Sequence, residues 1–408
     1  MRKVDVLIVG GGPAGLAAAV GMAEAGVRSI LVVEREHTLG GILRQCIHDG
    51  FGLTRFGESL SGPEYAARFI EKVKALNIET MTDAAVTRIT PDRRVTVVTR
   101  QGLLTFEARA VVLAMGCRER TRGALAIPGE RPAGVYTAGV AQAYMNLYNR
   151  MPAREVIVLG SGDIGMIMAR RLTLEGAHVQ AVYEVLPYPS GLPRNVLQCL
   201  DDYGIPLYLS HTVTRIHGDR RLEGVTISRV DERLRPVPGT EEYHPCDTLI
   251  LSVGLIPENE LSLDAGVALD ARTKGALVDE GYMTSVPGIF AAGNVLHVHD
   301  LVDFVSQEAE ALAASVAEYL KRDADQAEGY AVKCGPGVRY TVPQSVRGNE
   351  KFTLSLRVGA PMRDVAVVVR QGGREIARKK MKKALPAEMI RMEVVPAGAG
   401  EIEVSVDG

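Results

Sequence analysis

Val4-Asp5-Val6-Leu7-Ile8-Val9-Gly10-Gly11-Gly12-Pro13-Ala14-Gly15 runs from a short, β-branched apolar segment straight into a glycine cluster. From Ala14 to about Ala25 small and apolar residues follow with helical character, and a strand, G-x-G-x-x-G and a helix in that order form the context the motif requires. Gly10 allows the tight turn, Gly12 lets a pyrophosphate lie against bare backbone, and Gly15 lets helix and strand approach. The amino end of the helix adds partial positive charge. Ser29 to Val33 reads as a second buried strand, completing a β-α-β unit. Glu34 ends it, 24 residues after Gly10, where a carboxylate accepts both hydroxyls of an adenosine ribose.

The arrangement returns about 150 residues later. Val156 to Leu159 reads as a strand, Gly160-Ser161-Gly162-Asp163-Ile164-Gly165 repeats the motif, a helix runs from about Ile164 to Glu175, and a strand from His178 to Tyr183. Glu184 again lies 24 residues after the first glycine. A carboxylate there repels a ribose phosphate, so the second site is expected to prefer NAD(H) to NADP(H). Two such units predict an α/β protein with two Rossmann-like domains, each built on a parallel sheet.

Between and after these units the patterning changes. A helix is expected over Gly62 to Leu76, then a small antiparallel insertion from Ala85–Ile89, Arg94–Thr99 and Leu104–Phe106. Asp247 to Val253 and Gly288 to Ala292 read as buried strands and Leu301 to Tyr319 as a long helix. Asp300 is placed to cap that helix, with Asp303 three positions on resembling a capping box. Beyond 330, short alternating strands at Lys351–Val358, Val365–Arg370, Arg374–Lys380, Glu388–Val395 and Glu401–Val406 predict a small all-β domain, a sandwich. From 331 onward there are 14 Lys or Arg against 8 Asp or Glu, a charge of +6 against −8 for the remainder, and the opposition points to docking.

Composition limits the function. The 408 residues exceed one typical core, and 24% charged with 46% hydrophobic residues describes a folded protein. A net charge of −2 gives no field to draw the chain onto nucleic acid or an acidic membrane, and no apolar stretch is long enough to span one. The start carries no small-residue cleavage site, and the five cysteines, at 46, 117, 199, 246 and 334, describe no disulfide scaffold; a cytoplasmic, reducing location is expected. No Cys/His spacing fits zinc. His297 and His299 stand at i and i+2 without a third ligand nearby and are read as lining a cleft, with no metal.

The chain resembles the flavoproteins with two dinucleotide-binding domains, the superfamily of pyridine nucleotide-disulfide oxidoreductases, over residues 1 to about 330. Ala110-Val111-Val112-Leu113-Ala114-Met115-Gly116 resembles the strand that crosses between domains, and Thr248 to Gly254 with Pro257-Glu258-Asn259 resembles its counterpart. Pro287-Gly288-Ile289-Phe290-Ala291-Ala292-Gly293-Asn294 resembles the segment whose terminal acid holds the ribityl chain of FAD; Asn294 stands in the acid's place. The resemblance implies an FAD domain over 1–118 and 256–330, an NAD domain over 119–255 and the β domain over 331–408. It places Gly10, Gly12, Pro13, Ala14, Gly15, Glu34, Arg35, Gly41, Ile42, Arg44, Val86, Ala114, Gly116, Gly293, Asn294 and Val302 around FAD. Gly160, Gly162, Asp163, Ile164, Gly165, Glu184 and Gly254 fall around NAD. The helix after Asp300 would point its amino end at the flavin.

The dithiol pairs of the disulfide reductases, Cys-x-x-x-x-Cys and Cys-x-x-Cys, are missing, so disulfide reduction by that route is not expected. Gly40 to Gly52 (GGILRQCIHDGFG) and Gly116 to Thr121 (GCRERT) resemble a narrower branch. Its members are small FAD/NAD oxidoreductases that partner anaerobic-type glycerol-3-phosphate dehydrogenases, akin to components of opine oxidase, hydrogen cyanide synthase and dye-linked proline dehydrogenase complexes. Cys46 and His48, with Arg44, would then lie near the flavin. Cys46 is either a thiolate activated by a neighbouring imidazole or guanidinium, or a small apolar filler.

The expected function is hydride exchange between NAD(H) and FAD, with electrons passing to or from a partner redox subunit in an oligomer or hetero-complex. A free-standing NADH oxidase and a non-catalytic subunit holding ADP or ATP are the alternatives.

Overall fold

The computed structural model describes residues 1–321 and 329–408. Residues 322–328, the tail of the segment assigned to the first domain, lie outside the described residues. The chain divides into two units, Met1–Cys117 with Pro257–Gly408, and Arg118–Ile256. The all-β segment beyond 330 thus groups with the first unit.

In the first unit β1 (Arg2–Val9), β2 (Ile30–Val33) and β3 (Glu79–Met81) run parallel, joined from β1 to β2 by α1 (Pro13–Glu24). With β4 (Ala85–Ile89), β5 (Arg94–Thr99) and β6 (Gly102–Leu113) the order is β3-β2-β1-β6-β5-β4, and Ile289–Ala291 adds beside β6. Val6 to Val9 and Ile30 to Val33 are buried throughout, as a sheet covered on both faces demands.

The two pieces expected at Leu104–Phe106 and from Ala110 are one strand, β6. Its first half pairs antiparallel with β5, Thr105 facing Thr96, and its second half pairs parallel with β1, Val111 facing Leu7. The hydropathy change between them is a change of surroundings, from exposed Leu103 and Leu104 to the buried run 110–113. Helix α1 is buried on most sides; a β-carbon on Gly21 would lie 2.9 Å from the Ala313 Cβ, so it packs closely on the helix Val302–Tyr319. Helix α2 (Gly62–Ala75) opens on a complete capping box between Ser61 and Glu64 that the sequence reading missed.

The second unit carries a five-stranded parallel sheet in the order Leu207–Leu209, His178–Glu184, Glu155–Leu159, Thr248–Leu251, Val135–Thr137. The helix Asp163–Leu174 follows its central strand. A three-stranded antiparallel sheet of His211–His217, Gly224–Arg229 and Glu242–Pro245 was not anticipated.

The segment beyond 330 forms a five-stranded and a three-stranded sheet around a core that includes Val346, Leu354, Val367, Ile402 and Val404. Arg374–Ala384, which carries Lys379, Lys380, Lys382 and Lys383, is an edge strand. Lysines on an edge resist sheet-to-sheet pairing.

Arg357 joins this segment to the rest of the unit. It is 9% exposed and donates to the Tyr340 hydroxyl at 3.1 Å, to the carbonyls of Val298 (3.1 Å), Pro386 (2.9 Å) and Ala387, and to Asp300 at 3.3 Å. Asp300 also accepts from the Met389 amide. The capping role expected of Asp300 is therefore overturned: Leu301 occupies the N-cap without a side-chain bond, because the carboxylate is held by an arginine 57 residues on. Asp303 is no capping-box partner either; it accepts from the amides of Thr54, Arg55 and Gly52. Removing Arg357 leaves a buried carboxylate uncompensated, so Arg357→Ala is expected to lower the unfolding free energy of the first unit by about 3–5 kcal/mol, measured by denaturant titration.

Candidate nucleotide-binding sites

The first glycine loop sits at the carboxyl end of the sheet. A β-carbon on Gly10 (φ +109°) would overlap the Ala114 carbonyl oxygen that follows β6, and one on Gly15 would overlap the Gly10 carbonyl oxygen. Gly12 differs: the nearest atom to its absent β-carbon is the Gly41 Cα at 3.9 Å, so one face of its backbone is open. Helix α1 begins there with no side-chain cap and with Pro13 in its first turn, leaving the amides of that turn for a ligand.

Glu34, 6% exposed, accepts from the Gly11 amide at 2.7 Å on one oxygen and from the Glu36 amide at 2.9 Å on the other. A carboxylate offers about four acceptor positions, so about two remain for a ribose diol. Exposed Arg35 follows it, and the Ala84 amide donates to the Glu34 carbonyl, bringing the start of β4, with Val86, beside the acid. These features fit an adenine dinucleotide.

Other expected residues converge on the same loop. The Gly40 amide donates to the Gly11 carbonyl at 2.8 Å, and Gly41 opens a 3-10 turn, Gly41–Gln45, that includes Ile42 and Arg44. A β-carbon on Gly293 would lie 2.9 Å from the Ala14 Cβ, placing the 287–294 segment against α1. Asn294 accepts from the His299 amide at 3.0 Å and its amide nitrogen reaches the Cys117 sulfur at 3.5 Å, while Gly116 precedes that cysteine with φ +73°. Val302 begins the long helix. Asn259, which the sequence reading matched only as part of a motif, is buried and donates to the carbonyls of Lys274 and Val295.

Cys46 is 8% exposed, directs its thiol at the Ile42 carbonyl, and has its pKa pushed by burial up to about 12. His48 packs its ring on Phe51, centroids 5.0 Å apart.

The third group near His297 and His299 is Glu308, eleven residues after the first of them and invisible as a metal spacing. Glu308 accepts from the Gly293 amide at 2.7 Å and faces the Nε2 atoms of His297 at 2.6 Å and His299 at 3.4 Å, all three side chains being buried. The three ligand atoms lie within 4.8 Å of one another. Among the described residues both Nδ1 atoms are buried without a partner, whereas metal-bound histidines normally have theirs anchored. The geometry is that of two imidazoles donating to one carboxylate. Burial opposes ionisation of Glu308, but His299 and His297 outweigh it and hold the carboxyl well below the usual range. Burial keeps His297 neutral, as a donor.

The second cradle repeats the first at its first glycine and its acid, but a β-carbon on Gly162 would lie 3.3 Å from Ser252 Oγ where that of Gly12 meets nothing closer than 3.9 Å. A β-carbon on Gly160 (φ +97°) would overlap the Ser252 carbonyl oxygen, as on Gly10 with Ala114. The Ser161 amide donates to one oxygen of Glu184 and the Leu186 amide to the other, both at 3.0 Å, matching Gly11 and Glu36 around Glu34. Asp163, the first residue of the helix, accepts from the Leu192 amide and the Asn195 side chain, both at 2.7 Å, and Ile164 and Gly165 follow it. The Gly254 carbonyl accepts from the Arg120 amide.

Two outcomes are expected. Because its thiol stays protonated far above neutrality, native Cys46 should resist alkylation at about pH 8 and react after unfolding, read by mass spectrometry. Glu308, held below its reference value of 4.5, contributes stability that is complete above that pH and is lost as the pH falls below it. Glu308→Gln should therefore cost about 2–3 kcal/mol near neutrality and flatten the acid side of the stability profile, followed by denaturation across pH.

The family model described as pyridine nucleotide-disulphide oxidoreductase matches residues 4–316. The chain is 25% identical over 336 residues to the hydrogen cyanide synthase component HcnB of Pseudomonas aeruginosa, covering 76% of this chain and 69% of that protein. It is 28% identical over 312 residues to an opine oxidase subunit of Agrobacterium tumefaciens, covering 71% of this chain and 61% of the relative. The chain thus spans about two thirds or less of the length of these relatives. Among solved structures, thioredoxin reductase of T. acidophilum superimposes with a TM-score of 0.65 at 25% identity, covering 78% of this chain and 99% of the reductase. Among the described residues no helix is long and apolar enough to cross a membrane. With its two glycine cradles and a match over most of its length, the chain belongs to the pyridine nucleotide-disulphide oxidoreductase family, whose enzymes use FAD and a pyridine nucleotide.

Proposed function

We propose that this chain exchanges a hydride between NAD(H) and FAD and passes electrons to or from a partner redox subunit. The observation that carries the reading is the duplicated cradle: a glycine loop closed on a strand-end carbonyl, an uncapped helix amino end, and a buried acid at equivalent positions in both units. In the first unit, Gly10, Gly12, Pro13, Ala14 and Gly15 would receive the pyrophosphate of FAD, Glu34 with Arg35 its adenosine ribose, and Gly293, Asn294 and Val302 the flavin half. Gly41, Ile42, Arg44 and Cys46 would line that half from the 3-10 turn, with Cys46 a packed thiol. Gly160 to Gly165, Glu184 and Gly254 would take NAD(H). When bound, the flavin supplies a two-electron acceptor for the nicotinamide hydride. The residues of the chain orient the groups and exclude water.

The five cysteines are far apart in sequence and form no Cys-x-x-Cys or Cys-x-x-x-x-Cys pair, and burial raises the pKa values of Cys46, Cys199 and Cys246. No dithiol stands ready to carry the electrons onward, so a partner is the favoured outlet. That the relatives from Pseudomonas aeruginosa and Agrobacterium tumefaciens both bear the names of subunits supports this. The resemblance of 40–52 and 116–121 favours a glycerol-3-phosphate dehydrogenase-type partner and a cytoplasmic setting.

A second reading, a non-catalytic subunit that holds ADP or ATP in the second cradle, follows from the resemblance of 40–52 and 116–121 to components of proline dehydrogenase complexes. Anaerobic addition of NADH separates the two. Hydride transfer predicts that the flavin colour bleaches within the mixing experiment; an unchanged spectrum would exclude NADH as direct donor and favour the second reading.

A further inference from the structure

Glu34 and Glu184 occupy equivalent places but are differently engaged. Both accept one amide from the glycine loop and one from two residues downstream. Glu184 accepts two more donors, the Ser161 hydroxyl at 2.6 Å and the Ser190 hydroxyl at 2.8 Å. Three of these four bonds fall on Oε2 and one on Oε1, so with about two acceptor positions per oxygen Glu184 has Oε2 filled where Glu34 keeps room on both oxygens for a diol. The two additional donors are hydroxyls, the same groups that the 2′ and 3′ positions of an adenosine ribose would offer.

Ser190 is held over the cradle by more than this bond. Its amide donates to the Ser161 hydroxyl at 2.9 Å, and the next two residues clamp the loop to the start of the helix. A β-carbon on Gly191 would lie 2.8 Å from both Asp163 Oδ1 and the Ser161 carbonyl oxygen, and the Leu192 amide donates to Asp163. The first cradle has no counterpart: the residues following Glu34 place no hydroxyl on its carboxylate among the described residues.

We propose that Ser190, together with Ser161, is a gate on the second cradle that satisfies Glu184 in place of a ribose diol. The inference rests on the reading of this cradle as the NAD(H) site. A dinucleotide with a free 2′,3′-diol engages both oxygens of Glu184 only when Ser190 leaves Oε2, so the affinity of the site is set by that exchange: the Ser190 hydroxyl is released to water as one ribose hydroxyl takes its place and the other meets the open position on Oε1. Ser190 is thus a specificity-determining residue. Removing its hydroxyl leaves an acceptor position open in advance and favours the diol over a 2′-phosphorylated ribose, which lacks the diol and meets the same negative carboxylate.

The test is equilibrium titration of the full chain with NAD+ and, separately, NADP+, which leaves the flavin oxidised. Ser190→Ala is expected to tighten NAD+ binding about tenfold, about 1.4 kcal/mol, with a much smaller change for NADP+ and unchanged flavin content. Ser190→Thr, which keeps a hydroxyl, should bind NAD+ like the parent. Unchanged or weaker NAD+ binding by Ser190→Ala, with binding by the parent intact, would overturn the gate alone. Failure of both parent and variant to bind NAD+ at any accessible concentration would overturn the assignment of the site and the gate with it.

Discussion

A backbone carbonyl lies where the first glycine of each cradle would carry a β-carbon: Ala114 O against Gly10, Ser252 O against Gly160. This contact seats each glycine loop on the strand that follows in the sheet. The amino end of the helix and the acid at the end of the next strand are then brought to one place. A side chain at either glycine would push loop and strand apart, and with them the open amides and the carboxylate that a dinucleotide requires. The duplication of the contact is the physical basis for assigning two nucleotides to one chain.

The parts of the fold that depend on neighbours in sequence were legible. Strand, glycine loop, helix and strand follow one another within about 35 residues, and their patterning, together with Glu34 and Glu184, located both cradles. Features set by distant partners were not. Asp300 has the residue type and position of a helix cap, yet its carboxylate is drawn to Arg357, a competition that no local rule contains. Glu308 meets His297 and His299 only because the helix after Leu301 turns back over the 293–299 segment. Ser61 and Glu64, by contrast, are three positions apart and form the box that this spacing allows; the signal was present and unused. The division of β6 into two pieces arose from reading a change of burial as a change of structure.

The two cradles are alike in backbone and unlike in chemistry. Among the described residues Glu34 accepts from two amides, whereas Glu184 accepts from two amides and from two serine hydroxyls 29 residues apart. A cofactor that stays and a substrate that comes and goes call for different balances between preorganisation and competition. The segment beyond 330 adds a further constraint on the first unit, since Arg357 pins residues 298–300 directly ahead of the long helix. The irregular 295–301 stretch is thereby ordered from outside the nucleotide-binding fold itself.

The most direct measurement of the two-cradle account is a structure of the protein prepared with its native flavin and soaked anaerobically with NAD+. The account predicts FAD with its pyrophosphate against Gly12 and its ribose on Glu34, and NAD+ with its pyrophosphate against Gly162. Density for a nucleotide elsewhere in the second unit, or a first cradle that takes no FAD, would contradict it.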